Sequence, residues 1–115
     1  MTARIDWLDA AGLPVVEQTT VLGRQSECWL AARGAIKIVK HGIRNTGDRT
    51  LHRLVLFAKP SGVTTVRFKR VGRRRKYVRR IIIGDFKPRE RLMFYVEHTA
   101  TGMEGPPSMI TVEET

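Results

Sequence analysis

Along much of the chain the apolar residues fall at every second position, the period of a strand with one buried face. Val66 and Phe68 alternate with Arg67 and Lys69, so one side of that segment is suited to a core while the other carries charge. From Leu92 to Ala100 apolar residues occupy both faces, which predicts a central strand buried on two sides. Val15 to Leu22 is rich in β-branched residues and reads as a first strand, with a second over Glu27 to Ala31. Between Ala35 and Asn45, Ile36 and Ile38 share a face. Val39, His41 and Ile43 then take over the apolar phase, and that shift predicts a β-bulge near Lys40 to Gly42.

Turn chemistry separates these runs. Asn45, Thr46, Gly47 and Asp48 tolerate left-handed backbone angles or bond their own backbone, so a hairpin-type connection is expected into the next strand, Leu51 to Ala58. Lys59, Pro60, Ser61 and Gly62 end that strand. Two more strands and a turn at Gly72 make a second hairpin. Gly84 to Glu90 forms a corner, and Met109 to Val112 supplies a last strand. No long amphipathic helix is present in the pattern. Seven or eight short strands, with turn signals about every 8 to 12 residues, predict an all-β antiparallel sandwich. The 115 residues suffice for one core. Residues 14–115 are read as that single domain, and residues 1–13, with Ile5, Trp7 and Leu8, as an N-terminal arm or short turn ended by Gly12 and Pro14.

Charge changes the picture from a generic sandwich to one with a directed surface. The formal net charge is +10 and the pI about 10.9. Residues 1–34 hold three Lys/Arg against four Asp/Glu, residues 35–91 eighteen against three, and residues 92–115 none against four. Nine cations crowd into fourteen positions: Arg67, Lys69, Arg70, Arg73, Arg74, Arg75, Lys76, Arg79 and Arg80. Val66, Phe68, Val71, Tyr77, Val78, Ile81 and Ile83 are interleaved with them, so the segment is a basic β-hairpin and not a detached tail. Nine like charges repel one another, which favours a negatively charged partner over a merely solvated face. An acidic protein surface is the first choice and a nucleic-acid backbone the second. The acidic C-terminal residues Glu104, Glu113 and Glu114 could meet the hairpin of a neighbouring copy and give a homo-oligomer.

Candidate chemistry adds little. Phosphate-cradling, dinucleotide-binding, nucleophile-elbow and paired-cysteine motifs do not occur, so no enzyme, cofactor or metal is expected. Cys28 stands alone as a small buried hydrophobe. His41, His52 and His98 fit no metal spacing. His41 and His52, facing each other across the first hairpin with Asp48 nearby, are read as ordinary strand histidines. Asp85 and Glu90 are read as caps of the Pro88 corner; Tyr77, and less so Phe68, could serve as a stacking platform for single-stranded nucleic acid, but in so small a chain most aromatics are needed for the core. No apolar run approaches the roughly 18 residues of a membrane span, and the first residues lack the apolar stretch of a signal peptide. A cytoplasmic product with no membrane partner is therefore expected.

The run Ile43, Arg44, Asn45, Thr46, Gly47, Asp48, then Leu51, Leu54 and Leu56, then Gly84 to Pro88, resembles bacterial immunoglobulin-like domains of the CARDB (cell-adhesion-related) and NEW3 kind. Those domains share an Asn-x-Gly hairpin and a later Leu-x-Pro-Gly-Glu corner; here Phe86, Lys87, Pro88, Arg89 and Glu90 occupy that corner, with Arg89 in place of the glycine. The resemblance covers about residues 35–100 and implies an immunoglobulin-like sandwich. Small domains of this type also resemble accessory structural proteins of tailed bacteriophages. That likeness implies a virion component, assembled in the host cytoplasm, that docks on other assembly proteins at a head, connector or tail.

Overall fold

The computed structural model describes residues 2–15, 24–26, 34–59, 64–100 and 109–115. Eight strands lie among them: β1 Ile5–Leu8, β2 Arg24–Ser26, β3 Ile36–Asn45, β4 Leu51–Ala58, β5 Thr64–Arg70, β6 Arg80–Phe86, β7 Arg91–Ala100 and β8 Met109–Glu114. They form two four-stranded antiparallel sheets, one in the order β1, β3, β7, β5 and the other in the order β2, β8, β4, β6. The expected all-β sandwich is the fold. No helix among the described residues is long and apolar enough to cross a membrane. The strands read over Val15 to Leu22 and Glu27 to Ala31 fall almost wholly outside the described residues.

Odd-numbered strands make one sheet and even-numbered strands the other, so each step from one of these strands to the next changes sheets. Immunoglobulin domains keep several successive strands side by side within a sheet; what this chain shares with them is the two-layer architecture and not the strand order. Crossing the sandwich at successive steps is the habit of jelly-roll sandwiches. Both expected hairpins are corrected by this wiring. Asn45 to Asp48 carries the chain from one sheet to the other, because β3 pairs with β1 and β7 while β4 pairs with β6 and β8. The basic segment likewise joins β5, paired with β7, to β6, paired with β4, and is a crossover and not a β-hairpin.

Two further expectations change. Residues 5–8 are no free arm: β1 pairs with β3 from Ile5↔Asn45 to Leu8↔Gly42, and Trp7 is fully buried. The bulge expected near Lys40 to Gly42 is absent, since β3 runs in unbroken register with β7 from Ile36↔Thr99 to Arg44↔Arg91. The apolar phase shifts because Ile36 and Ile38 point outward, 63% and 54% exposed, while Ile43 faces the core. The irregular pairing lies instead between β4 and β6, with register shifts on both sides of Leu54. There Arg53 and Gly84 take left-handed backbone angles, as residues at bulges often do.

The core is built from both inner faces. Trp7, Ile43, Phe94, Val96 and Phe68 from one sheet meet Leu51, Leu54, Leu56, Phe86, Ile110 and Val112 from the other. Phe68 and Phe94 meet edge to face at 6.1 Å, a favoured aromatic geometry. At one end of the sandwich the buried Asn45 ties two loops together. Its Nδ2 donates to the carbonyls of Phe86 at 2.8 Å and Arg49 at 3.0 Å, and its Oδ1 accepts from Gly47 N at 3.0 Å. Its backbone bonds Arg89 N and Glu90 O. The Asn-x-Gly turn and the Pro88 corner are thus two halves of one clasp. Gly47 is required there because a Cβ would collide with the Thr2 carbonyl oxygen.

Two features of this end have measurable consequences. Arg89 sits at φ 69°, the left-handed region that disfavours side chains, in a turn closed by Glu90 N to Lys87 O at 3.0 Å. Left-handed backbone costs a non-glycine residue about 1–2 kcal/mol, and glycine gives back part of that gain through its freer unfolded chain. Arg89→Gly is therefore expected to raise unfolding stability by about 0.5–1 kcal/mol in chemical denaturation. Secondly, Glu114 of β8 takes a two-pronged bond from Arg49, at 2.7 and 2.9 Å, and a third from His52 N at 2.9 Å. The Arg49 bond, then the His52 amide, lowers its pKa from 4.5 to about 2. A carboxylate with a depressed folded-state pKa stabilises above its unfolded value and loses that contribution as pH falls through the folded one. Between pH 4.5 and about 2 the protein should lose stability, and Glu114→Gln should remove this part of the slope in urea titrations run across that window.

A candidate partner-binding cleft

β5 and β6 are edge strands of opposite sheets, so the sandwich is open along the side where they run. The segment between them turns at Gly72, whose φ of 81° suits a residue without a side chain. It then returns to β5 through one bridge, Phe68 N to Val78 O at 2.7 Å and Val78 N to Phe68 O at 2.8 Å. Val71 N donates to Met93 O at 3.1 Å. Residues 73–77 lie outside any strand or bridge.

Between this segment and the two edges lies a cleft of about 450 Å³. It is lined by Lys69, Arg70, Arg73, Arg75, Lys76 and Arg80 together with Phe68, Val78, Ile81 and Ile82. Six of the nine cations singled out in the sequence therefore converge. Arg67, Arg74 and Arg79 do not line the cleft; Arg67 stands opposite Glu97 on β7. The ion pairs among the described residues are Arg4 with Asp6, Arg49 with Glu114, and His52 with Asp85, none of which draws on the nine. Their charge is left facing outward. Arg70 does have a fixed role, donating from Nη2 to the Ile82 carbonyl at 3.1 Å and so linking the two edges.

The cleft is also apolar. Val78 is 45% exposed and Ile82 64% exposed. In the sequence Val78, Ile81 and Ile83 stand out as apolar members of this segment and Ile82 is passed over, so the exposed apolar wall is missed there. Phe68 is fully buried, as the core reading has it, and offers no stacking surface. Tyr77 keeps partial exposure with Lys69 Nζ 5.9 Å from its ring centre, and its hydroxyl pKa is raised by burial first and by Glu97 and Tyr95 next. A second concentration of charge also went unnoticed. Arg44 and Arg91 face each other across the β3–β7 ladder, an unfavourable placement for like charges. Arg44 and Arg89 border a separate depression of about 700 Å³ beside the Asn45 clasp.

The remaining candidates disperse. His41 lies on β3 beside Phe94, ring centres 6.4 Å apart, and His52 lies on β4 in the other sheet, so they do not face each other across a hairpin as expected. His52 Nδ1 instead meets Asp85 Oδ1 at 2.9 Å on the surface. His98 is fully buried. Glu90 caps its corner, its carboxylate accepting from Lys87 N at 3.1 Å. Among the described residues no group of three His, Cys, Asp or Glu is placed to hold a metal ion. Cys28, Trp29 and Glu104 lie outside the described residues, while Glu114 is already engaged with Arg49. Comparison of the chain with protein-family models, curated proteins and solved structures finds no match.

Proposed function

We propose that the protein is a non-catalytic docking module of a multi-subunit particle, a phage head, connector or tail component, that seats an acidic surface of a neighbouring protein in the cleft between β5 and β6. One observation carries this reading: six cations with no carboxylate partner among the described residues share a cleft with exposed Val78 and Ile82. Arginine around an aliphatic centre is the make-up of a protein–protein contact, in which apolar area supplies affinity and charge supplies orientation and encounter rate. Guanidinium groups also bond carboxylates in pairs, which ammonium groups cannot do. The virion setting rests on the two-sheet architecture and on the resemblance of small domains of this type to phage accessory proteins, an argument by analogy.

A sequence-independent nucleic-acid binder is the second reading. Tyr77 under Lys69 supports it, as a ring and a cation side by side would serve a stacked base and its phosphate. The walls of the cleft speak against it, because Val78 and Ile82 offer nothing to a phosphate backbone.

Fluorescence anisotropy separates the two, using a glutamate-rich peptide with interspersed leucines and a DNA duplex, each at about 50 and about 200 mM salt. The peptide is expected to stay bound at the higher salt, since apolar contacts are not screened, while duplex affinity falls by roughly 10³-fold or more. The combined variant Arg73→Glu, Arg75→Glu, Arg80→Glu should lose both ligands. Duplex binding that outlasts the peptide at high salt would replace docking with nucleic-acid binding. Unchanged binding by the triple variant would remove both readings.

A further inference from the structure

The docking reading leaves open what shape of partner the cleft accepts, and the backbone beside it narrows the choice. Among the described residues β6 has β4 on one side and no strand on the other. An edge of this kind presents unpaired N–H and C=O groups in a row, a template for another strand unless something blocks it. The Ile82 carbonyl is bonded by the Arg70 guanidinium of β5, and it faces away from β4: Lys59 N bonds Met109 O on the β8 side, so by alternation Leu56 and Ile81 are the pair that exchanges bonds between β4 and β6. In an antiparallel strand the N–H and C=O of one residue point the same way; the Ile82 N–H therefore faces the cleft as well. The register shifts beside Leu54 and Gly84 confine the regular part of this edge to Arg80, Ile81 and Ile82. The edge is apolar, with Ile81 in the core and Ile82 on the outer face. It is guarded by a single side chain.

We propose, building on the docking reading, that the partner enters as an extended segment of alternating aliphatic and acidic residues that pairs with the β6 edge. Its backbone takes over the Ile82 carbonyl from Arg70. Its aliphatic side chains turn inward toward Val78 and Ile81, and its carboxylates turn outward toward Arg80 and the freed Arg70. Arg70 acts as a placeholder: it satisfies an edge carbonyl while the protein is alone and becomes a charged contact when the partner arrives. Alternation follows from strand geometry, since successive side chains fall on opposite faces. The acidic half follows from the charge of the cleft, and the aliphatic half from its walls.

Proline at position 82 isolates this mode. It removes the N–H on the free side and leaves the β4 ladder intact, a placement that edge strands tolerate. Two probes of equal charge are compared in anisotropy titrations: a peptide alternating glutamate and valine, and polyglutamate. The alternating peptide should bind the unaltered protein about tenfold or more tightly than polyglutamate, a gain that aliphatic burial and strand pairing supply together. Ile82→Pro should bring it down to the polyglutamate level while polyglutamate affinity stays the same. As a measurement that needs no variant, the Ile82 amide should gain protection from hydrogen exchange when the alternating peptide binds. Full affinity in a folded Ile82→Pro protein, or an Ile82 amide that exchanges as fast in the complex as without it, would overturn strand pairing and leave charge-driven docking standing. Failure of both peptides to bind would instead strike the docking reading itself, and this proposal with it.

Discussion

Each step between successive described strands carries the chain across the sandwich, so none of them pairs with its sequence neighbour, and the outermost strand at each end of a sheet has one open side. On the basic side those strands are β5 and β6. The segment joining them has to span the gap between two layers, and its cations are thereby held at the mouth of a cleft and not along a flat face. Had β5 and β6 paired as a hairpin, alternation would have split the same residues between two faces of one sheet. The wiring gathers six of them instead around exposed Val78 and Ile82. From that follow the apolar walls, the open edge and a charge that meets no carboxylate among the described residues.

The Asn45 clasp and the basic segment differ in how fully the chain satisfies their polar groups. Around Asn45, donors and acceptors are matched within the chain, down to the carbonyls of Phe86 and Arg49. Arg49 and Glu114 pair on both prongs. Such closure is the mark of structure, since a buried polar group without a partner costs about 1–3 kcal/mol. The basic segment is held by the Phe68–Val78 bridge, the Val71 N bond to Met93 O and the Arg70 bond to the Ile82 carbonyl, and its guanidinium groups meet no carboxylate among the described residues.

Much of this was legible in the sequence. The strands from β3 onward follow the alternation of apolar residues, and the corner at Pro88 follows its turn chemistry. The basic run was visible as a concentration of charge. Pairing was not legible, because Asn45 to Asp48 and the Gly72 turn have the local chemistry of hairpins whether the next strand returns alongside or crosses to the other layer; long-range contacts decide that. Ile36 and Ile38 misled for a related reason, since alternation gives the period but not which phase faces inward when both contain apolar residues. Ile82 belongs to the same class, one isoleucine of three that the sheet turns outward. Trp7 did signal burial, though four residues are too few to reveal that β1 is a strand.

The central claim is that the cations lining the cleft between β5 and β6 have no carboxylate partner among the described residues. Their mutual repulsion should then weaken the fold at low ionic strength and be relieved as salt shortens its range. Thermal unfolding at pH 7 in sodium chloride, from about 20 to about 300 mM, reads this directly. The account expects the midpoint to climb by several degrees, about what 1 kcal/mol gives a domain of this size. A midpoint that stays level or falls with added salt would mean that the charges are already balanced from within, and would contradict it.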